Sequence, residues 1–448
     1  MLTAKEAQDR ADNLVQQAIK AGADAADAVY YCDASTSVSM RLGKLEDVSR
    51  SEGQDIGLRV FVGKRSATTS SSSMDSDSMA NMVARCIAMA KEAPEDKYAG
   101  LAAKELLLKD APIDVESDDG ANPEPAMLRE MALLAEEAAR SVSGVENSEG
   151  AGASAGRSIF ALATSNGFIG SRVASGYNLS ASVIAGTGDN MERDYAWRSA
   201  RHLSDLEDAE TLGRRAGERA VAKLNPKNFK GGAMPVFFDP RVGGSLIGHL
   251  IGAMSGASIA RKTSFLLEFL GEEIFAPQIN IIEQPHLKRG LSSRAFDSEG
   301  LPTKSAKLID NGRLTGWLMN VSDAAQLNLA PTGHASRGVS GSPGTSVSNV
   351  TLNSSSTSVA DLMADVKMGV LITELVGQGV NPVTGDYSRG ANGFLIENGV
   401  ISHPISEFTI AGNLKDMFRQ MMVADDLEMI RSLNVPTIRV DGMTVATG

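Results

Sequence analysis

The chain has 448 residues, 42% apolar and 22% charged, the balance of a water-soluble globular protein. It is longer than the roughly 250–300 residues at which single cores stop growing, so two or three domains are expected. A formal net charge of −12 and the lack of any long Lys/Arg run argue against nucleic-acid binding. No apolar run nears the roughly 18–20 residues of a membrane-spanning helix.

Residues 4–21 place Ala7, Ala11, Leu14, Val15, Ala18 and Ile19 on one helical face, with Gly22 as the stop. Their charges leave no apolar signal-peptide core, and with only Cys32 and Cys86 no disulfide framework is expected, so the cytoplasm is the expected compartment. Strands are predicted at "DAVYY", at "TSVSMRL" through Val38, Met40 and Leu42, and at "IGLRVFVG" through Ile56, Leu58, Val60 and Val62. The polar run "SATTSSSSMDSDS" reads as a connection ending in N-cap residues, followed by a helical stripe of Met79, Met82, Val83, Cys86 and Met89. Cys86 is then buried filler.

A Pro-, Gly- and acid-rich segment after residue 90 reads as a link between modules, and a helix is predicted from about Ala126 to Val142. A hairpin follows around Asn166-Gly167, where both turn positions are expected to take positive φ. "DAETLGRRAGERAVAKLNP" closes this unit as a helix ended by Pro226. The order hairpin, polar connection, helix thus occurs twice, as a diverged duplication would leave it. Beyond Lys227–Gly232, short alternating segments with "DNG" and "ENG" turns predict an antiparallel, strand-rich region with few helices. The fold class expected is α+β: an N-terminal α/β domain at 1–110, a central α/β domain at 111–228, and a larger β-rich C-terminal domain at 229–448.

Chemistry is harder to find. "SLIGHLIGAMSG" opens a helix behind the strand "MPVFFDP" and carries His249, as half of a helix-borne zinc motif would. The residues four and five away are Ala253, Met254, Ser245 and Gly244, none of them suited to zinc, and Leu250 follows His249 where a general base would stand. His202, His286, His334 and His403 are scattered, so His249 reads most simply as a structural histidine and no metal ligands are assigned.

No G-x-S-x-G elbow is present, and "RGVSGSPGTS" at 337–346 reads as a mobile loop. "GKRSATTS" lacks the first glycine of a phosphate loop and has Arg65 in place of its Ser/Thr. Glu272-Glu273 are expected to be solvated. The segment 374–394, "ELVGQGVNPVTGDYSRGANGF", is denser in special residues than a plain core requires. One reading is a long loop whose glycines make turns and whose Asp386 and Arg389 pair locally. The other is a loop where backbone approaches a ligand, with Asp386, Tyr387, Ser388 and Arg389, together with His249, as candidates to line a peptide channel and Arg389 gripping a carboxylate or carbonyl.

The stretch "NPVTGDYSRGANGFLIENGVISHPISEFTIAGNLKDMF" at 381–418 resembles the C-terminal signature of the TldD/PmbA family, within it the PmbA (TldE) branch. "SSRAFDSEGLPTKSAKLIDNGRLTGWLMN" at 292–320 is similar to the same family, and the likeness runs nearly end to end. The resemblance implies dimers, in which a TldD-type and a PmbA-type chain form a cytosolic metalloprotease acting on unfolded or extended peptides, in peptide maturation and antitoxin turnover. It also implies that a TldD-type chain carries H-E-x-x-x-H and a C-terminal cysteine as zinc ligands. Here Gly248 and Ala253 stand at the two histidine positions, His249 at the glutamate, and no cysteine lies near the end. The expectation is a subunit that binds no cofactor itself and has no catalytic residue of its own, with zinc in a TldD-type partner. Self-pairing is the other partner expected, and neither direct nucleic-acid binding nor a membrane is. Two alternatives stand: a free-standing peptidase whose unrecognised site includes His249, and a non-catalytic peptide-binding homodimer.

Overall fold

A computed structural model describes residues 1–447. The N-terminal half runs α1 (Ala4–Lys20), β1 (Ala25–Arg41), β2 (Lys44–Val62), β3 (Arg65–Ser71), α2 (Ser76–Glu92), α3 (Pro125–Arg140), β4 (Val145–Thr164), β5 (Ile169–Ala185), β6 (Glu192–Ala200) and α4 (Ala209–Ala222). The order helix, three strands, helix therefore occurs twice. All six strands join one antiparallel sheet in the order β3-β2-β1-β4-β5-β6, with the two repeats meeting where β1 pairs with β4.

Local chemistry explains the elements. Thr3 and Glu6 make a reciprocal capping box on α1, and the Asp75 side chain accepts from Ser78 N at the start of α2. Met79, Met82, Val83 and Cys86 are buried as their spacing requires, but Met89 is exposed, and Ile87 and Ala90 complete the stripe. The polar run after residue 65 is not a connection throughout. Ser66–Ser71 lie in β3, because the edge of β2 offers backbone partners that outweigh the low strand propensity of serine. At the hairpins "DNG" and "ENG", Asn311, Gly312, Asn398 and Gly399 all have positive φ. At Asn166-Gly167 only Gly167 does (φ +108°), because Gly167 N donates to Thr164 O at 3.0 Å and so closes a longer turn in which Asn166 is the third residue and Gly167 the left-handed one that follows.

The four helices cover one face of the sheet. On β1, Ala26, Ala28, Tyr30 and Cys32 pack towards them, while Val29 faces the other way with Leu162, Phe168, Phe296 and Leu301. Both faces of this stretch are covered, which is why it reads as continuous burial rather than alternation.

The C-terminal half begins with β7 (Gly232–Phe238), α5 (Pro240–Ala253), α6 (Gly256–Ala260), β8 (Ile281–Glu283), β9 (Ala306–Asp310), β10 (Arg313–Leu314), α7 (Val321–Leu327), β11 (Ala335–Ser336), β12 (Gly344–Thr345) and β13 (Val350–Leu352). It ends with α8 (Val359–Met363), β14 (Met368–Val376), β15 (Asp386–Glu397), β16 (Val400–Asn413), α9 (Leu414–Arg419), β17 (Met421–Val423), β18 (Leu433–Asn434) and β19 (Ile438–Thr447). One sheet runs β16-β15-β14-β7-β19-β17 and closes into a barrel where β16 also pairs with β19. Closure leaves few free edges. The pairing is not purely antiparallel: β7 runs parallel to β14, and β13 to β18. The fold is the expected α+β class. Among the described residues no helix is long and apolar enough to cross a membrane.

The two halves are joined by buried charge. Asp27 is 1% exposed and is paired with Arg59 on β2 and with Arg337, which follows β11. The start of the 337–346 segment is thus anchored at Arg337, and a Cβ at Gly57 would lie 1.8 Å from Val339 O, so this part sits directly on the sheet. Glu299 stands 3.8 Å from Arg59 and accepts from Val321 N. Burial pushes the Glu299 carboxyl up to about 7, with Arg59 opposing and Asp297 adding to the rise.

A carboxyl raised on folding binds its proton more tightly in the native chain. Its contribution to stability is therefore complete below about pH 4.5 and lost as pH rises through about 7, a swing of roughly 3 kcal/mol. Glu299→Gln is expected to flatten that part of the stability profile between pH 5 and 8 in urea unfolding, its carbonyl still accepting from Val321 N. An unchanged slope would show that Glu299 is ionised throughout.

Candidate functional site

The strand-to-helix unit singled out in the sequence sits on the barrel wall. Asp239 caps α5 by accepting from Arg241 N at 2.8 Å, and Pro240 takes the first helical turn, where a missing N–H costs nothing. Leu246, Ile247 and Leu250 are buried against the barrel. The outer face carries Gly248 and Gly252, each with open space where a Cβ would stand. His249 lies beside them, partly buried.

The segment 374–394 is mostly strand. Only 377–385 is a loop, and Asp386 opens β15. Its closest glycine approaches are to its own chain: a Cβ at Gly379 would lie 1.9 Å from Ser388 O, and one at Gly393 1.9 Å from Leu371 O. Strand alternation then splits the four predicted residues. Tyr387 is buried and Arg389 half-buried, while Asp386 and Ser388 alternate to the exposed side. Asp386 and Arg389 do not pair. Asp386 accepts from Thr384 Oγ1 at 2.6 Å and Asn413 Nδ2 at 3.0 Å, which hold its carboxyl below the usual range, and Arg389 Nε reaches Val376 O at 3.4 Å.

Tyr387 and His249 meet edge to face, their ring centroids 6.1 Å apart. His249 Nε2 and Tyr387 Oη are both buried without a hydrogen-bond partner, although most buried polar atoms have one. Burial, then the Arg389 charge, lowers the imidazole below its ordinary range. Burial pushes the phenol up to about 12. At neutral pH the trio is a neutral imidazole, a neutral phenol and a cation. It offers hydrogen-bond donors for a carbonyl or carboxylate and one group able to accept a proton.

A cavity of about 410 Å³ adjoins it, lined among others by Ser245, Thr373, Glu374 and Arg389, with Asp194 held by Lys223 at 3.1 Å and Arg241 at 2.9 Å. These ionic neighbours come from β6, α4 and α5, and nothing in their separate sequence positions marks them as a group.

The donor set does not fit zinc, for which three nitrogen, sulfur or carboxylate ligands must converge. Gly248 and Ala253 offer none, and among the described residues no group of three or more His, Cys, Asp or Glu side chains could hold a metal ion. The other histidines lie apart: His334 is paired with Glu283 at 2.7 Å, His286 meets Thr303, His202 meets Glu116 O, and His403 meets Ser402. Glu272 and Glu273 are both exposed, as expected, Glu273 in a surface ion pair with Arg313 at 2.5 Å.

Comparison with known proteins places this geometry. Residues 26–90, 118–224 and 231–447 match, in turn, PmbA/TldA metallopeptidase domain 1, central domain and C-terminal domain. Metalloprotease PmbA of Escherichia coli O157:H7 is 36% identical over 412 residues, covering 92% of this chain and 89% of that one. A Haemophilus influenzae homologue of PmbA is also 36% identical, over 96% of this chain and 94% of its own. The crystal structure of a Bacteroides thetaiotaomicron protein called a modulator of DNA gyrase superposes over 100% of both chains with a TM-score of 0.90 and 26% identity. TldE from Thermococcus kodakarensis, 21% identical, shares the fold over 97% of this chain and 99% of its own, with a TM-score of 0.86.

Proposed function

The chain belongs to the PmbA/TldA metallopeptidase family, and from that premise we propose that it is the PmbA/TldE-type subunit of a cytoplasmic two-chain metalloprotease acting on unfolded or extended peptides. In this reading the chain holds no zinc. A TldD-type partner supplies the metal, which would polarise the scissile carbonyl and activate water. This chain supplies enclosure and peptide-facing donors. The observation that carries the reading is the face of α5: Gly248 and Gly252 leave it bare, and His249, the one ligand-type side chain beside it, stands with Tyr387 and Arg389 rather than with the further ligands zinc needs. An extended peptide lying there meets Arg389 as a charged donor, with the Tyr387 ring buried behind it.

Purified alone, the chain is expected to carry less than one zinc per molecule by elemental analysis and to leave casein intact. Adding a TldD-type chain should start cleavage. The orphaned Nε2 of His249 favours one competing reading, a stand-alone hydrolase in which the neutral imidazole is the base. Steady cleavage by the lone chain that disappears in His249→Ala would establish that reading and overturn ours.

A further inference from the structure

We propose that the cleft between the helix-free face of the N-terminal sheet and the C-terminal half binds an anionic group, a carboxylate or a phosphate, held by Arg172, Arg201 and Arg294. The cleft measures about 790 Å³, within the size range of small-ligand sites, and all three arginines line it. They come from β5, from the end of β6 and from the loop before β9, so only the docking of the two halves brings them together.

No carboxylate pairs with any of them among the described residues. Arg294 is only 8% exposed. Its Nη1 donates to Ser346 Oγ at 2.9 Å and its Nη2 to Ser346 O, while its Nε is buried with no acceptor. Arg201 donates to Ser175 O at 2.9 Å and to Leu291 O, and its Nε is likewise buried and orphaned. Arg172 stacks over Phe160 at 4.2 Å and lies 5.7 Å from Phe296, and it makes no hydrogen bond among the described residues.

The acids nearby are already engaged. Asp118 holds Arg157 at 2.6 Å, Asp114 accepts from Glu116 N, and Asp297 accepts from the backbone N–H of Glu299, Leu301 and Ala335. One buried and two partly buried guanidinium groups with no ion-pair partner among the described residues carry a desolvation cost, only partly offset by Glu283 and Asp297 near Arg294 and by Asp297 near Arg172. A bound anion would reduce that cost further through charge-assisted bonds to the free N–H groups. Burial, then the Arg294 charge, lowers the Arg172 guanidinium to about 10. Ser158 and Ser292 add hydroxyl donors along the wall.

The test is calorimetric titration of the full chain, at constant ionic strength, with inorganic phosphate and with a tetra-alanine peptide as free acid and as C-terminal amide. Saturable binding of phosphate or of the free acid is expected, and any binding by the amide should be at least tenfold weaker than by the acid. Arg172→Gln should weaken the bound anion at least tenfold while leaving the melting temperature unchanged or higher, because removing a desolvated charge with no hydrogen bond or ion pair among the described residues offsets the loss of its stacking on Phe160. Binding of phosphate alone would assign a phosphate-bearing ligand, and binding of the free acid alone a carboxylate. The proposal fails if neither anion binds, if Arg172→Gln binds as the parent does, or if that variant melts clearly lower, which would make Arg172 a structural brace.

Discussion

Asp27→Asn is expected to cost about 3–5 kcal/mol of stability, because it removes the only full counter-charge among the described residues from two buried guanidinium groups. Burial alone would push the Asp27 carboxyl up, but Arg337 and Arg59 hold it below the usual carboxylate range. Against a typical total of about 5–15 kcal/mol, that loss takes the chain close to its unfolding limit. Glu299 compensates only in part, standing 3.8 Å from Arg59 and being about half ionised near pH 7. Urea unfolding at pH 7 measures the effect. Replacing Asp27, Arg59 and Arg337 together by apolar residues of similar volume should recover most of it, since an apolar contact carries no desolvation cost. A single variant as stable as the parent would show that the ions are hydrated and that the halves are held by the apolar contacts around Phe168 and Phe296 alone.

Gly393→Ala is the second large effect expected, roughly 3 kcal/mol or more. The added methyl would lie 1.9 Å from Leu371 O, which is backbone in the paired strand β14 and cannot rotate away. Gly252→Ala is the matched control, with open space at the same atom, and should leave stability unchanged or slightly raised. Thermal unfolding of the two variants separates glycines the fold requires from glycines that only leave a surface bare. If the two behaved alike, the strand β14–β15 spacing would be looser than described.

The sequence was most legible where chemistry acts over a few residues. The stripe from Ala7 to Ala18, the cap at Asp75 and the Asn-Gly turns at 311–312 and 398–399 are all local, and all were readable without neighbours. Reading failed where pairing overrode local preference. Ser66–Ser71 became a strand because β2 offered an edge, and Asp386–Arg389 became a strand rather than a loop because β16 pairs with it residue for residue. Of the candidate residues, the expected loop grouping came apart: Tyr387 and Arg389 alternate towards His249, and Asp386 and Ser388 do not.

The sequence by itself determined the α+β class and the family. Capping, periodicity and turn formation depend on residues within about one helical turn or one hairpin of each other, and the signature motifs are contiguous. Tertiary structure alone decided which charges lose water. Asp27, Arg59, Glu299 and Arg337 gather at one junction and Arg172, Arg201 and Arg294 at another because two separately built layers dock. Coulomb interactions depend on distance in space and on local burial, and neither is written in the spacing of residues along the chain.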